Sequence, residues 1–168
     1  MWGPTYELPA EARRYRLTAE TGRTTTTWNF TSAAPTRYEP PKGFTCAEGT
    51  STPCHADPLL FLRYDAGADL GDAVTAPGRH QLRVSAYHQV PGAPAVKSLA
   101  LSISTDGGVT WKQLSTTAKG GGDYTAGYQV PRLTDTTGTV SIRASARDAA
   151  GNTVEQTVLD AFRLTGRR

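Results

Sequence analysis

Apolar and polar residues alternate in short runs that return roughly every ten residues, the spacing of strands in a sandwich. Tyr15-Arg16-Leu17-Thr18-Ala19 and Thr26 to Thr31 form the first pair. Leu60 to Tyr64 follows, and His80 to His88 then places Leu82, Val84 and Ala86 on one face. Val96 to Ser104 does the same with Leu99, Leu101 and Ile103. Val109 to Leu114, Tyr124 to Val130, Thr139 to Arg147 and Thr153 to Leu164 complete a set of about nine strands, each with one apolar face. No segment carries a convincing helical period. The fold class expected is all-β, an antiparallel β-sandwich.

Two stretches depart from the pattern. In the last run Val154, Val158, Phe162 and Leu164 share a parity with Gln156 and Asp160, which calls for a bulge or a paired polar site. Residues 32–57 lack periodicity and contain Pro35, Pro40, Pro41 and Pro53, so they read as a long surface loop, and loops of this length are functional or tied down. Cys46 and Cys54 can tie it down: closing eight residues is worth roughly 2.5 kcal/mol in the chain-entropy picture, and a disulfide implies an oxidising, extracellular setting. The alternative use of the same residues is a metal site built from Cys46, Cys54, His55 and Asp57, which lacks a second Cys-x-x-Cys or a His pair at ligand spacing. The organisation expected is an N-terminal two-strand extension with the clipped loop over 1–57 and the sandwich over 58–168, together forming one unit.

Composition supports the same class. The 168 residues include 17 Gly and 11 Pro, which punctuate segments rich in Thr, Val and Tyr. Lys and Arg number 18 against 15 Asp and Glu, a net charge of +3 with both signs interleaved, which argues against a nucleic-acid-tracking surface. No apolar run approaches the roughly 20 residues of a membrane helix, and Met1-Trp2-Gly3 leads into Pro and charge instead of the apolar stretch of a signal peptide. No membrane partner and no cofactor are expected. The scarcity of Lys, Asn and Ile beside abundant Ala, Arg, Gly and Thr fits a GC-rich bacterial genome.

Ser104-Thr105-Asp106-Gly107-Gly108-Val109-Thr110-Trp111 matches S-x-D-x-G-x-T-W in full and resembles the Asp-box hairpin of sialidases and other secreted β proteins. Its parts have physical roles within a turn: the Asp106 carboxylate accepts backbone N–H groups, the glycines allow positive φ, and Trp111 folds against the sheet. A sialidase would need several such repeats and an arginine cluster, so Ser104, Asp106, Gly108, Thr110 and Trp111 are read as a structural hairpin. Arg147 to Asn152 resembles the closing turn of bacterial immunoglobulin-like and fibronectin-like modules, with Asp148 capping it and Gly151 or Asn152 left-handed. Asp148 with Asn152, or Asp65 with Asp69 and Asp72, are weak calcium candidates that lack the dense spacing of a calcium loop.

Catalytic inventory is thin. The histidines are His55, His80 and His88, and the last two bracket one strand at roughly 26 Å if it is extended. No Gly-x-Ser-x-Gly elbow is present, and no carboxylate pair stands out. No catalytic residue is assigned. Half of the aromatics fall within the first 44 residues. Trp28 and Phe30 share a strand parity and read as core, whereas Trp2, Tyr6, Tyr38 and Phe44 sit in irregular sequence and are the candidate interaction surface.

The order of segments carries a broader likeness. Glu7-Leu8-Pro9, Tyr15-Arg16-Leu17-Thr18 with Thr21-Gly22-Arg23, Thr27 to Ala33, Pro58 to Asp65, Pro91 to Val96, the Asp-box hairpin and Ala144 to Leu164 together resemble the C-terminal region of large secreted subtilisin-like serine proteases of Streptomyces and related actinomycetes. The resemblance spans nearly the whole chain. It implies an immunoglobulin-like or fibronectin-like β-sandwich appended to a protease whose catalytic triad lies upstream, so this chain would be a secreted, non-catalytic accessory module. It would dock against, target or stabilise the parent serine protease, with the catalytic domain or another extracellular protein as partner. A carbohydrate-binding module of an extracellular hydrolase, with polysaccharide as its partner, is the first alternative, favoured if exposed aromatics form a flat row. A small sialidase-like or metal-dependent hydrolase is the second.

Overall fold

A computed structural model describes residues 7–40, 45–46, 52–68 and 73–166. The described residues form an all-β structure. In chain order the strands are β1 (Arg13–Thr21), β2 (Thr24–Ser32), β3 (Tyr38–Glu39), β4 (Cys54–His55), β5 (Leu60–Asp65), β6 (Ala73–Ala76) and β7 (Gly78–His88). They continue with β8 (Val96–Ser104), β9 (Lys112–Leu114), β10 (Thr116–Gly120), β11 (Asp123–Val130), β12 (Thr139–Asp148) and β13 (Thr153–Gly166). One 3-10 turn, Leu133–Asp135, joins β11 to β12.

The count exceeds the nine expected. The additional strands are those whose sequences have no alternation to read: β3 and β4 are two residues each, β6 is four, and β10 is almost wholly exposed. β10 exists because the glycine-rich turn after it folds it back on β11.

Two sheets pack face to face. One has the order β1-β2-β13-β12-β8-β9, with β6 lying parallel to the end of β13, and the other has the order β10-β11-β7-β5. This division of strands is that of an immunoglobulin-like sandwich, with β5, β7, β11 and β10 as its A, B, E and D strands and β8, β12 and β13 as C, F and G. The β1–β2 hairpin extends the larger sheet past β13. Leu82, Val84 and Ala86 of β7 meet Leu99, Leu101 and Ile103 of β8 and the inward residues of β12 in one buried cluster. A truncation such as Leu101→Ala in such a core costs about 2–5 kcal/mol.

β13 serves two neighbours along one edge. Thr153 to Val158 pair with β2, and Arg163 to Gly166 pair with β6. Between them the register against β12 jumps from Ile142↔Val158 to Val140↔Phe162, so the strand bulges. Asp160 sits in the bulge at φ 51°; its N–H donates to Ser141 Oγ at 3.0 Å and its carboxylate accepts from Thr139 Oγ1 at 2.6 Å. Arg23, in the turn between β1 and β2, pairs with that carboxylate at 2.7 Å. Gln156 donates to Thr26 Oγ1 at 2.8 Å. Both polar residues that interrupt the alternation are therefore partnered, one of them within a bulge.

Phe30 is buried as the parity of β2 requires, but Trp28 is only half-buried. Its indole N–H donates to Leu60 O at 2.6 Å, bridging the two sheets, and its ring meets Phe61 edge-on. Burial pushes the Tyr128 phenol up to about 12 and the Tyr64 phenol further, so both stay neutral.

Candidate functional site

The Asp-box residues close on one another. Ser104 Oγ donates to Asp106 Oδ1 at 2.6 Å and accepts from the Gly108 N–H at 2.8 Å. Thr110 gives Asp106 both its N–H and its hydroxyl, at 2.9 and 2.5 Å. Hydrogen bonds from Ser104, then from Thr110, hold the Asp106 carboxyl at about 2, below its ordinary 3.8. Gly107 and Gly108 carry the positive φ of the turn. The Trp111 indole donates to Gly108 O, and the Arg143 guanidinium lies 4.1 Å from the ring centroid. The motif's polar atoms are spent on the turn itself, which leaves Val109, 81% exposed, at its tip.

At the other end of the sandwich Asp148 and Asn152 form an internal brace. Asp148 Oδ1 accepts from the Ala150 and Asn152 N–H groups at 2.9 and 2.8 Å, and Oδ2 accepts from the Asn152 side-chain amide at 2.7 Å. Asn152 Oδ1 in turn accepts from the Thr31 N–H. Asn152 thus turns a donor toward the carboxylate, and both carboxylate oxygens are occupied by donors, the opposite of a calcium-ligating arrangement. Gly151 takes the left-handed position. Asp65 accepts from the Gly67 N–H and pairs with Arg83 at 3.4 Å, while Asp69 and Asp72 lie outside the described residues.

Cys46 and Cys54 are bonded to each other, with Cα atoms 6.5 Å apart, so neither can act as a thiolate ligand and the four-residue metal site is ruled out. The bridge secures β4, which pairs in parallel with β3 so that Tyr38 lies opposite Cys54. Tyr38 is half-buried there; Trp2, Tyr6 and Phe44, the other members of the expected interaction surface, lie outside the described residues.

β4 also carries His55 to Ser32 at the end of β2. His55 Nε2 is 3.2 Å from Ser32 Oγ and 3.8 Å from Asp57 Oδ1, beside a hollow of about 290 Å³ that Arg37, Glu39 and Pro58 help to line. The residue types are those of a nucleophilic triad, but a triad uses one ring nitrogen for the serine and the other for the carboxylate. Here a single nitrogen faces both. The grouping was not legible in the sequence, since Ser32 and His55 are brought together by the disulfide-bound loop.

A groove of about 640 Å³ lies on the outer face of the four-stranded sheet. Register places Arg63, Ser85 and Asp123 side by side across β5, β7 and β11, and Asp65, Arg83 and Thr125 in the next row. Ser85 donates to Asp123 at 2.6 Å. Lys119 of β10 closes the groove at one side. A scan against protein-family models finds no match to this chain, and a search of curated proteins finds none either.

Proposed function

We propose that the chain is a non-catalytic accessory module of a secreted subtilisin-like serine protease of actinomycete type, which docks against, targets or stabilises the parent enzyme. The non-catalytic part of this reading is supported by the arrangement at His55, where Ser32 and Asp57 approach the same nitrogen instead of opposite ones, and the protease parent by the order of segments along the sequence. An immunoglobulin-like sandwich clipped by a disulfide suits a module exposed to an oxidising exterior. Among the described residues no helix is long and apolar enough to cross a membrane. The isolated chain, incubated with fluorescent casein and with a panel of fluorogenic glycosides, is expected to leave both intact. Hydrolysis that disappears in Ser32→Ala would overturn the proposal and make the hollow beside His55 an active site.

A further inference from the structure

The outer face of the four-stranded sheet has a composition that the accessory role leaves unexplained. Next to the row Arg63–Ser85–Asp123 stands the cross-strand pair Phe61–Tyr87, with ring centroids 5.9 Å apart and Tyr87 40% exposed. Tyr87 lies two residues beyond Ser85 on the same face of β7, about 7 Å along the strand. An aromatic step therefore leads into the polar groove.

The groove's charges are unevenly matched. Arg83 is paired with Asp65, and Asp123 is hydrogen-bonded to Ser85. Among the described residues Arg63 and Lys119, which line the same groove, have no carboxylate partner. Two unpaired cations favour an anionic ligand, and the guanidinium of Arg63 can take a carboxylate in bidentate fashion. The Asp123 carboxylate stands between those cations and that of Asp65 lies two residues from Arg63 on β5, so a densely acidic chain such as a polyglutamate would meet repulsion. A ligand with sparse carboxylates and many hydroxyls meets the opposite: Asp65, Asp123, Ser85 and Thr125 can exchange hydrogen bonds with hydroxyl groups, and the Tyr87 face accepts the apolar side of a pyranose ring.

We infer that this groove is a binding site for an acidic polysaccharide, with uronate carboxylates at Arg63 and Lys119 and a sugar ring on Tyr87. The inference gives the targeting role a site and rests on the accessory-module reading only for its biological setting, since the surface belongs to this chain alone. Affinity electrophoresis and titration calorimetry of the isolated chain at low ionic strength, with polygalacturonate, dextran and poly-L-glutamate, test it. Binding to polygalacturonate is expected, weakened about tenfold or more by Arg63→Gln with Lys119→Gln and several-fold by Tyr87→Ala, with unchanged melting curves. Absence of polygalacturonate binding, equal binding by either variant, or equally tight binding of poly-L-glutamate or of dextran would each overturn it. Casein or glycoside hydrolysis would instead strike the accessory reading and leave the groove standing.

Discussion

His88 Nε2 lies 3.3 Å from Asp148 Oδ2, with the His88 side chain 6% exposed and that of Asp148 fully buried. His88 Nδ1 reaches Leu59 O at 3.0 Å, so one imidazole joins the start of β5 to the turn between β12 and β13, across the gap between the sheets. His88→Ala removes the only histidine beside this carboxylate and leaves a void at a closed end of the core. The unfolding free energy is expected to fall by about 3 kcal/mol in urea titrations. A loss below about 0.5 kcal/mol would show that the Ala150 and Asn152 donors hold Asp148 unaided.

The Asp-box carboxylate gives a pH signature. Asp106 titrates at about 2 in the folded chain against an ordinary 3.8, so its contribution to stability is complete above the ordinary value and is lost as pH falls through about 2. Carboxyl carbon shifts followed by NMR should show Asp106 still ionised at pH 3. Thr110→Val, which removes one donor, should move that midpoint upward. Trp111→Ala is expected to cost about 2 kcal/mol, less than a fully buried Trp would, because the ring is half-buried under Arg143.

Adjacent glycines in the β10–β11 turn separate backbone strain from steric clash. Gly121 and Gly122 both have positive φ, at 62° and 88°, but a Cβ on Gly121 meets open space whereas one on Gly122 runs into the carbonyl oxygen of Ala86. That carbonyl belongs to β7, and Gly122 O accepts the Ala86 N–H at 2.9 Å. Gly121→Ala should cost about 1 kcal/mol, and Gly122→Ala about 3 kcal/mol or more, measured by thermal melts.

The fold was legible where side chains alternate and illegible where only topology makes a strand. Leu99, Leu101 and Ile103 mark β8 at its observed limits because one face of it is core. Thr116 to Gly120 carries no such face, and its pairing to β11 depends on the two-residue glycine turn that follows it. Trp28 shows a subtler failure. Parity places it with Phe30, yet its polar N–H is held at the seam between the sheets by Leu60 O, which no pattern within β2 encodes. The Asp-box and the cysteine clip are local in sequence and could be read residue by residue. The grouping of His55 with Ser32 and the rows Arg63–Ser85–Asp123 and Asp65–Arg83–Thr125 are products of sheet register, invisible until the strands are paired.

The divided strand also sets how the molecule bears load. β1 and the first half of β13 run in the same direction with β2 between them, and Arg16, Asn29 and Thr153 lie level across the three. A pull applied ahead of β1 and beyond the end of β13 therefore acts along the strands in opposite senses. The β1–β2 and β2–β13 hydrogen bonds are stretched together in shear, instead of opening one after another like a zip. Tension applied at those two points is therefore resisted by both ladders at once.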